Sequence, residues 1–536
     1  MSIADAPPQE AQSGLDDAVA TESESLATPA SVPATHAPRS RRAWVAAGAV
    51  VVASALLPRA ARAQGIRRPK PVPIPGTPNI PNEIPVAPIE WASDTIRLLR
   101  RISYGVTDAD VLAAKRYGFR GFMERQLDYT NVDNSAVDAF VAAKYPLLSQ
   151  STTQLFAADA TTVRLQLQQA TLYRAAFSNR QLYERMVEFW SDHFNISITK
   201  VGYLKAVDDR DVIRKYALGT FRDLLYASAK SGAMMSYLDQ IQSRSGAPNQ
   251  NYAREIMELH TLGVDGGYTQ TDVAELSKVL TGWTIAGRGD FFFDPARHDW
   301  TAKTVLGVRI PAGSPSLGAA GIKEGEQMLD VLLNHPSTAS FIATKMLRWF
   351  LSYDPTQAQI DAVVSTYTST GGDIRSMIRA TLNSAWLRDA PMKLKRPFHL
   401  VASSLRTTLS SPTVTNVVSI NAQLTTTGQP LFLWDTPDGY PDRVEYWAGN
   451  VMTRWNFAAF YSALATGEVV VDAASFMKGN TADSTVAAID TRLFGGEIDP
   501  LLRTSLTVYL KAGTYSAARV RETLALAIGA NSFQWY

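Results

Sequence analysis

The chain of 536 residues contains no cysteine. That excludes disulfides, thiolate metal sites, cysteine-held iron–sulfur clusters, thioether haem and cysteine nucleophiles together. Histidine is nearly as scarce. Of six in all, His36 lies in the N-terminal segment, which leaves His193, His260, His298, His335 and His399 for any imidazole chemistry. Neither sign of charge dominates, with 52 Lys and Arg against 50 Asp and Glu. The one dense basic patch, Arg67-Arg68-Pro69-Lys70, sits in a proline-rich stretch, so no nucleic-acid partner is expected. Familiar catalytic templates are absent too: no Gly-x-Ser-x-Gly elbow, no Walker loop, no full dinucleotide glycine fingerprint and no His-Glu-x-x-His pair.

The longest apolar run is short and follows a pair of arginines. Ser40-Arg41-Arg42-Ala43-Trp44-Val45 leads into about 15 mostly small or apolar residues, too few to span a bilayer comfortably, and the run closes on Ala61-Arg62-Ala63, a small-x-small cleavage pattern. This pattern predicts a twin-arginine export signal, a mature chain starting at Gln64, a periplasmic or secreted location, and no transmembrane anchor after cleavage. The twin-arginine route carries proteins already folded. Residues 1–39 form a long polar leader with too little apolar periodicity to fold. Taking off residues 1–63 removes five of the 52 basic and six of the 50 acidic residues and leaves a net charge of +3.

Residues 64–90 carry a proline every few positions and read as an extended linker. The remainder, 91–536, contains no second linker and is expected to be a single large multi-helix body, mainly α, with at most a small β-hairpin. Helical periodicity is clear at 109–127, 165–194, 221–238, 252–262, 272–282, 338–351 and 398–409 among others. The best strand signals, 290–294 and 303–310, suggest a hairpin around a loop holding His298 and Asp299.

Carboxylate and histidine chemistry is what remains available. At 100° per residue, Asn251, Arg254, Glu255 and Glu258 fall on one side of a helix, and His260 falls on another, near the turn at Gly263. Two carboxylates spaced i, i+3 can share a metal or divide acid and base roles. An Arg254–Glu258 surface pair with Asn251 as helix cap is the alternative. Asp272 and Glu275 are expected to be cap and dipole residues of the next helix. His193 shares a face with Met186, Phe189 and Trp190, while Glu184, Glu188 and Asp192 form a separate acidic stripe. It is either a metal ligand or a core histidine satisfied by a buried carboxylate. His298 and Asp299, together in an irregular segment, are candidates for a site. His335, followed by Ser337 as expected cap, and His399, after Pro397, look structural. The aromatics of 428–447 either stack on sugars or fold into the body.

The order of these blocks resembles a large family of exported bacterial proteins, domain of unknown function 1800 (DUF1800). The matching blocks are 99–105 (LRRISYG), 186–194 (MVEFWSDHF), 248–264 (PNQNYAREIMELHTLGV), 268–284, 298–307, 335–350 and 395–406. The 248–264 block is specific, and the others support it by their order. A Glu commonly stands in the family where this chain has Gln250, and 436–440 only partly reproduces the usual Pro-Pro and Gly-Trp arrangement. The resemblance implies a mainly helical fold, frequent export, and a protein partner from a second exported family, domain of unknown function 1501 (DUF1501), which looks like alkaline-phosphatase or sulfatase relatives. It supplies no reaction.

Two functions follow as expectations. The first is a metal-dependent hydrolase acting on an envelope or extracellular polymer. In it Glu255, Glu258, His298 and Asp299 are catalytic, and Glu255, Glu258, His193, His260 and His298 hold a divalent metal. The second is a non-catalytic helical scaffold or maturation partner of a co-exported protein. The export reading is the most direct to check. Arg41→Lys with Arg42→Lys should keep the chain in the cytoplasm, and sequencing of the exported wild-type product should begin at Gln64. Unimpaired export of the double variant would refute the signal.

Overall fold

The computed structural model describes residues 94–409 and 414–536. The expected leader, export signal and proline-rich linker lie outside the described residues. The body is mainly α, with helices throughout and, among the described residues, two two-stranded antiparallel sheets. No helix there is long and apolar enough to cross a membrane.

Several helical stretches are interrupted where local chemistry demands it. The helix Asp108–Leu127 starts on a Thr107–Asp110 capping box and breaks at Gly118, whose φ of 69° an L side chain rarely adopts. The long 165–194 stretch divides into Ala160–Phe177 and Gln181–His193. Likewise Phe221–Ala229 and Gly232–Tyr237 are separate helices. Gly232 meets the backbone of Gly289 so closely that an added Cβ would lie 2.2 Å from its carbonyl oxygen.

The strands pair differently from the expected hairpin. β1 (Trp283–Ala286) pairs with β2 (Asp290–Phe293), and β3 (Lys303–Val305) pairs with β4 (Val308–Ile310). Each closes on its own short turn, which costs less chain ordering than a hairpin across the His298 loop. In the second turn Leu306 and Gly307 both have positive φ, 50° and 76°, as a two-residue primed turn requires. Asp272 compensates the strain at Leu306. Its carboxylate closes the capping box with Thr269 and accepts the Leu306 N–H at 2.7 Å. Glu275, paired with Lys278, accepts the Thr304 N–H at 3.3 Å. Both acidic residues are therefore structural, with a second task beyond the cap.

Apolar side chains gather in two large clusters. One runs from Ile96 to Leu387 and includes Leu182, Met186, Phe189 and Trp190. The other joins Tyr104 and the Ala160–Phe177 helix to the C-terminal third, from Phe398 to Phe533. The Gln181–His193 helix lies at the seam. Its apolar residues serve the first cluster, and its acidic stripe adjoins Tyr104, Phe398 and Phe432 of the second. The 434–442 loop packs on its end. Asn195 Nδ2 donates to the Trp434 and Thr436 carbonyls at 3.0 and 2.7 Å. Gly439, at φ 73°, passes so close that a Cβ would stand 2.1 Å from the Asp192 carbonyl oxygen. Two aromatics of this region, Tyr440 and Trp447, fold inward against Leu394, while Tyr446 is exposed.

Asp272→Ala should lower stability by roughly 1–3 kcal/mol, because it removes a cap and leaves the strained Leu306 turn without its anchor. Chemical denaturation would measure it, and a loss no larger than that of Asp223→Ala would count against the second role.

Candidate functional site

The residues expected to form one constellation are held by separate partners. Glu255 is fully buried, and its charge adds to the burial that raises the Tyr237 and Tyr268 hydroxyls. Glu258 accepts from the Tyr268 hydroxyl at 3.3 Å. Arg254 donates to Gln270 Oε1 at 2.9 Å, and Gln270 in turn donates to Gln250 Oε1 at 2.8 Å, so the expected Arg254–Glu258 pair gives way to a bridge between two helices. Asn249 caps the Gln250–Glu258 helix; Asn251, given that role from the sequence, donates to the Leu238 carbonyl instead.

His193 and His260 are neighbours, with ring centroids 6.2 Å apart, and both are buried. His193 Nε2 lies 3.1 Å from the His260 carbonyl oxygen, so a backbone group and not a carboxylate meets that nitrogen, while its buried Nδ1 has no hydrogen-bond partner. Burial pushes the His193 imidazole well below its ordinary value, and the charges of Lys345 and His260 push the same way. Burial, with Lys345, takes His260 down to about 3. His298 belongs elsewhere. Its Nδ1 meets the Thr281 carbonyl at 2.7 Å, and its Nε2 stands 3.2 Å from Glu324 Oε2, close but poorly aligned. Lys303 reaches the same oxygen at 2.7 Å. Burial pushes the Glu324 carboxyl up, and the His298 and Lys303 contacts outweigh it and leave it below the usual range. Asp299 forms a local turn, accepting from the Thr301 N–H and hydroxyl at 2.9 and 2.6 Å. His335 itself caps the Pro336–Phe350 helix through Nδ1, in place of Ser337, and His399 packs between Tyr104 and Tyr536. Among the described residues no group of three or more His, Asp or Glu side chains stands together to hold a metal ion.

The convergent polar groups lie instead along the acidic stripe. A narrow cleft is lined by Glu184, Glu188, Asp192 and Asp209 together with Tyr104, Phe398, Phe432 and Tyr440. Arginines hold these carboxylates from outside the lining. Glu188 Oε2 takes the Tyr104 hydroxyl at 2.7 Å and Arg185 at 3.0 Å, while its Oε1 takes Arg396 at 2.5 Å. Arg396 also reaches Asp192 Oδ2 at 2.7 Å and the Tyr440 carbonyl at 3.3 Å. Burial pushes the Asp192 carboxyl up to about 6 despite Arg396, and the Glu188 charge adds to the rise. Arg214 spans the other end, 3.1 Å from Glu184 Oε2 and 2.9 Å from Asp209 Oδ2.

The Asp209–Arg214 contact depends on a backbone irregularity. Between Leu204–Asp208 and Arg214–Tyr216 the helix widens into a π-helical turn, Asp209–Ile213. In an α-helix residues five apart diverge; the wider turn brings them to one face, and such turns are frequent at functional sites. Sequence reasoning marked the acidic stripe but missed Arg185, Arg214, Arg396, Tyr104 and Asp209. The available signal was the charged run Asp208 to Asp211 set between apolar residues on a helix.

These features define a large helical body whose recurrent polar segments are built into its interior. Residues 97–535 match the model of the family described as protein of unknown function (DUF1800), and the chain belongs to that family. No curated protein and no solved structure matches it.

The buried imidazoles set a pH dependence. His193, His260 and His399 are all held below their ordinary value, chiefly by burial, so below about pH 6.5 the unfolded chain takes up protons that the folded chain excludes. Stability should therefore fall with falling pH, by up to ~1.4 kcal/mol per pH unit for each histidine. Asp192 acts oppositely between its unfolded and folded values, since its raised carboxyl keeps a proton in the fold. Calorimetry from neutral pH to about pH 5 should show the loss, and His260→Leu should flatten it by about a third. A stability independent of pH in this range would contradict the assignment.

Proposed function

We propose that the protein is an exported, non-catalytic helical scaffold or maturation partner of a co-exported protein. The supporting observation is that several carboxylates and imidazoles of the shared blocks are engaged by separate internal groups: Glu258 by Tyr268, His193 Nε2 by a backbone carbonyl, His298 and Lys303 by Glu324, and Glu188 by Tyr104 and two arginines. Buried polar networks of this kind fix how elements meet; each member costs several kcal/mol to orphan and offers little to a substrate. The metal-dependent hydrolase expected at Glu255, Glu258, His298 and Asp299 is the weaker reading. It needs its ligands in one place, and His298 is tied to Thr281 and Glu324. Location in the periplasm or outside the cell, and a DUF1501-like partner, are parts of the same proposal.

Two measurements test it together. Protein purified by its native export route should hold no stoichiometric divalent metal and should melt at the same temperature after chelation. Deletion of this chain should lower the exported yield of the DUF1501-like partner, and the two should co-elute when produced together. Stoichiometric metal with a chelator-sensitive melting point would restore the hydrolase reading. An unchanged yield of a DUF1501-like protein that never co-elutes would remove the scaffold role.

A further inference from the structure

The helix Val451–Ser462 is apolar on two faces, and the described residues cover one of them. Inward it turns Arg454, Phe457, Ala458 and Tyr461, all buried, at the spacing of a core-facing stripe. Outward stand Val451, Met452, Trp455, Asn456 and Ala459, all exposed and none charged. Arg454, the one charged residue of the helix, is spent on the inner side, where it donates to Gln534 Oε1 at 2.9 Å. The solvent face of a surface helix normally carries charge, and a helix apolar all round is one buried on both sides. The neighbouring helix Ala517–Gly529 continues the surface. The Trp455 indole N–H donates to the Gly529 carbonyl at 3.0 Å, and Leu526, 46% exposed, lies one turn before it. Other exposed apolar side chains, such as Leu112, Phe156 and Val264, sit on separate elements, as single surface residues ordinarily do. With Val451, Met452 and Trp455 at 45, 63 and 53% exposed, this patch presents about 500 Å² of surface, a size that marks an interaction site.

We propose that this face packs against the same face of a second copy, the two Val451–Ser462 helices running antiparallel across a two-fold axis between Trp455 and Asn456. The pattern of the stripe is self-complementary about that point. Met452 and Ala459 are equally distant from it, so the large side chain of each copy meets the small one of the other, as facing positions of packed helices require. Asn456 stands beside the axis, where the two amides, each both donor and acceptor, can satisfy one another. The lack of charge selects a like partner. A different protein is chosen largely by complementary charge, which this face does not offer, whereas interfaces between identical chains form the more apolar class. Two such patches bury about 1,000 Å² together, the area at which an interface becomes stable, before any polar rim is added. The inference is independent of the scaffold role, since a pair of chains forms with or without a co-exported partner.

Sedimentation equilibrium of the exported chain at micromolar concentration should give the mass of two chains. Met452→Glu puts a charge in the middle of the face, at a position exposed in the single chain, and should raise the dissociation constant at least about a hundredfold while leaving the circular dichroism unchanged. An exchange of side chains tests the register. Met452→Ala, by lost packing, and Ala459→Met, by collision with Met452 of the second copy, should each weaken the dimer about tenfold, and the double variant should recover it. A single-chain mass for the wild type, a dimer indifferent to Met452→Glu, or a double variant no tighter than its parts would overturn the proposal. So would a single-chain wild type whose co-elution with a DUF1501-like protein is lost in Met452→Glu, since the face would then belong to that partner.

Discussion

The carboxylate of Glu188 is the junction on which the architecture turns. It accepts from Tyr104 near the first helix, from Arg185 one turn away, and from Arg396 at the entrance to the Pro397–Thr408 helix. Arg396 then continues to Asp192 and to the 434–442 loop. Three stretches of chain, distant in sequence, are thus referred to one helix. Apolar packing supplies most of the stability of such a body, but it is weakly directional. The charged groups at the seam leave each element one way to sit, because any other leaves an ion unpaired in a low-dielectric interior.

The same logic explains the irregular helix opposite. A regular α-helix would carry Asp209 and Arg214 to different faces, and the widened turn keeps them together with Glu184. Carboxylates consequently line the cleft while the arginines that hold them lie behind. This arrangement makes an acidic surface inside a chain whose overall charge is close to neutral, which net charge alone does not disclose.

Local features of the sequence were legible to the extent that their causes are local. The helical class followed from periodicity, and the Thr269–Asp272 cap from its spacing. Two caps moved by two residues each, from Asn251 to Asn249 and from Ser337 to His335, because several polar side chains at each helix entrance could accept the same N–H groups. The strand partners changed because tight turns at Gly287 to Gly289 and at Leu306-Gly307 outcompeted a longer closure. The site was least legible. Glu184, Glu188 and Asp192 were visible as a stripe, but the meaning of Glu188 and Asp192 depends on Arg396, 208 and 204 residues away, which helical periodicity does not connect. His298 illustrates the reverse: its place beside Asp299 in an irregular segment made it a candidate for a site with Glu255, whereas the fold ties it to Thr281 and Glu324.

That distance along the chain also bears on assembly. Until the C-terminal third has been made, Glu188 and Asp192 lack Arg396, and the second apolar cluster lacks everything from Phe398 onward. An incomplete chain would thus present an acidic helix and an uncovered apolar face together, a combination prone to misassembly. Without cysteine, no disulfide can trap the finished state after the fact. On the export route proposed above, completing the clamp before crossing a membrane would remove both hazards. A route that carries folded chains, as the Arg41-Arg42 pair suggests, therefore suits a body closed by long-range ion pairs, even where no bound cofactor calls for it.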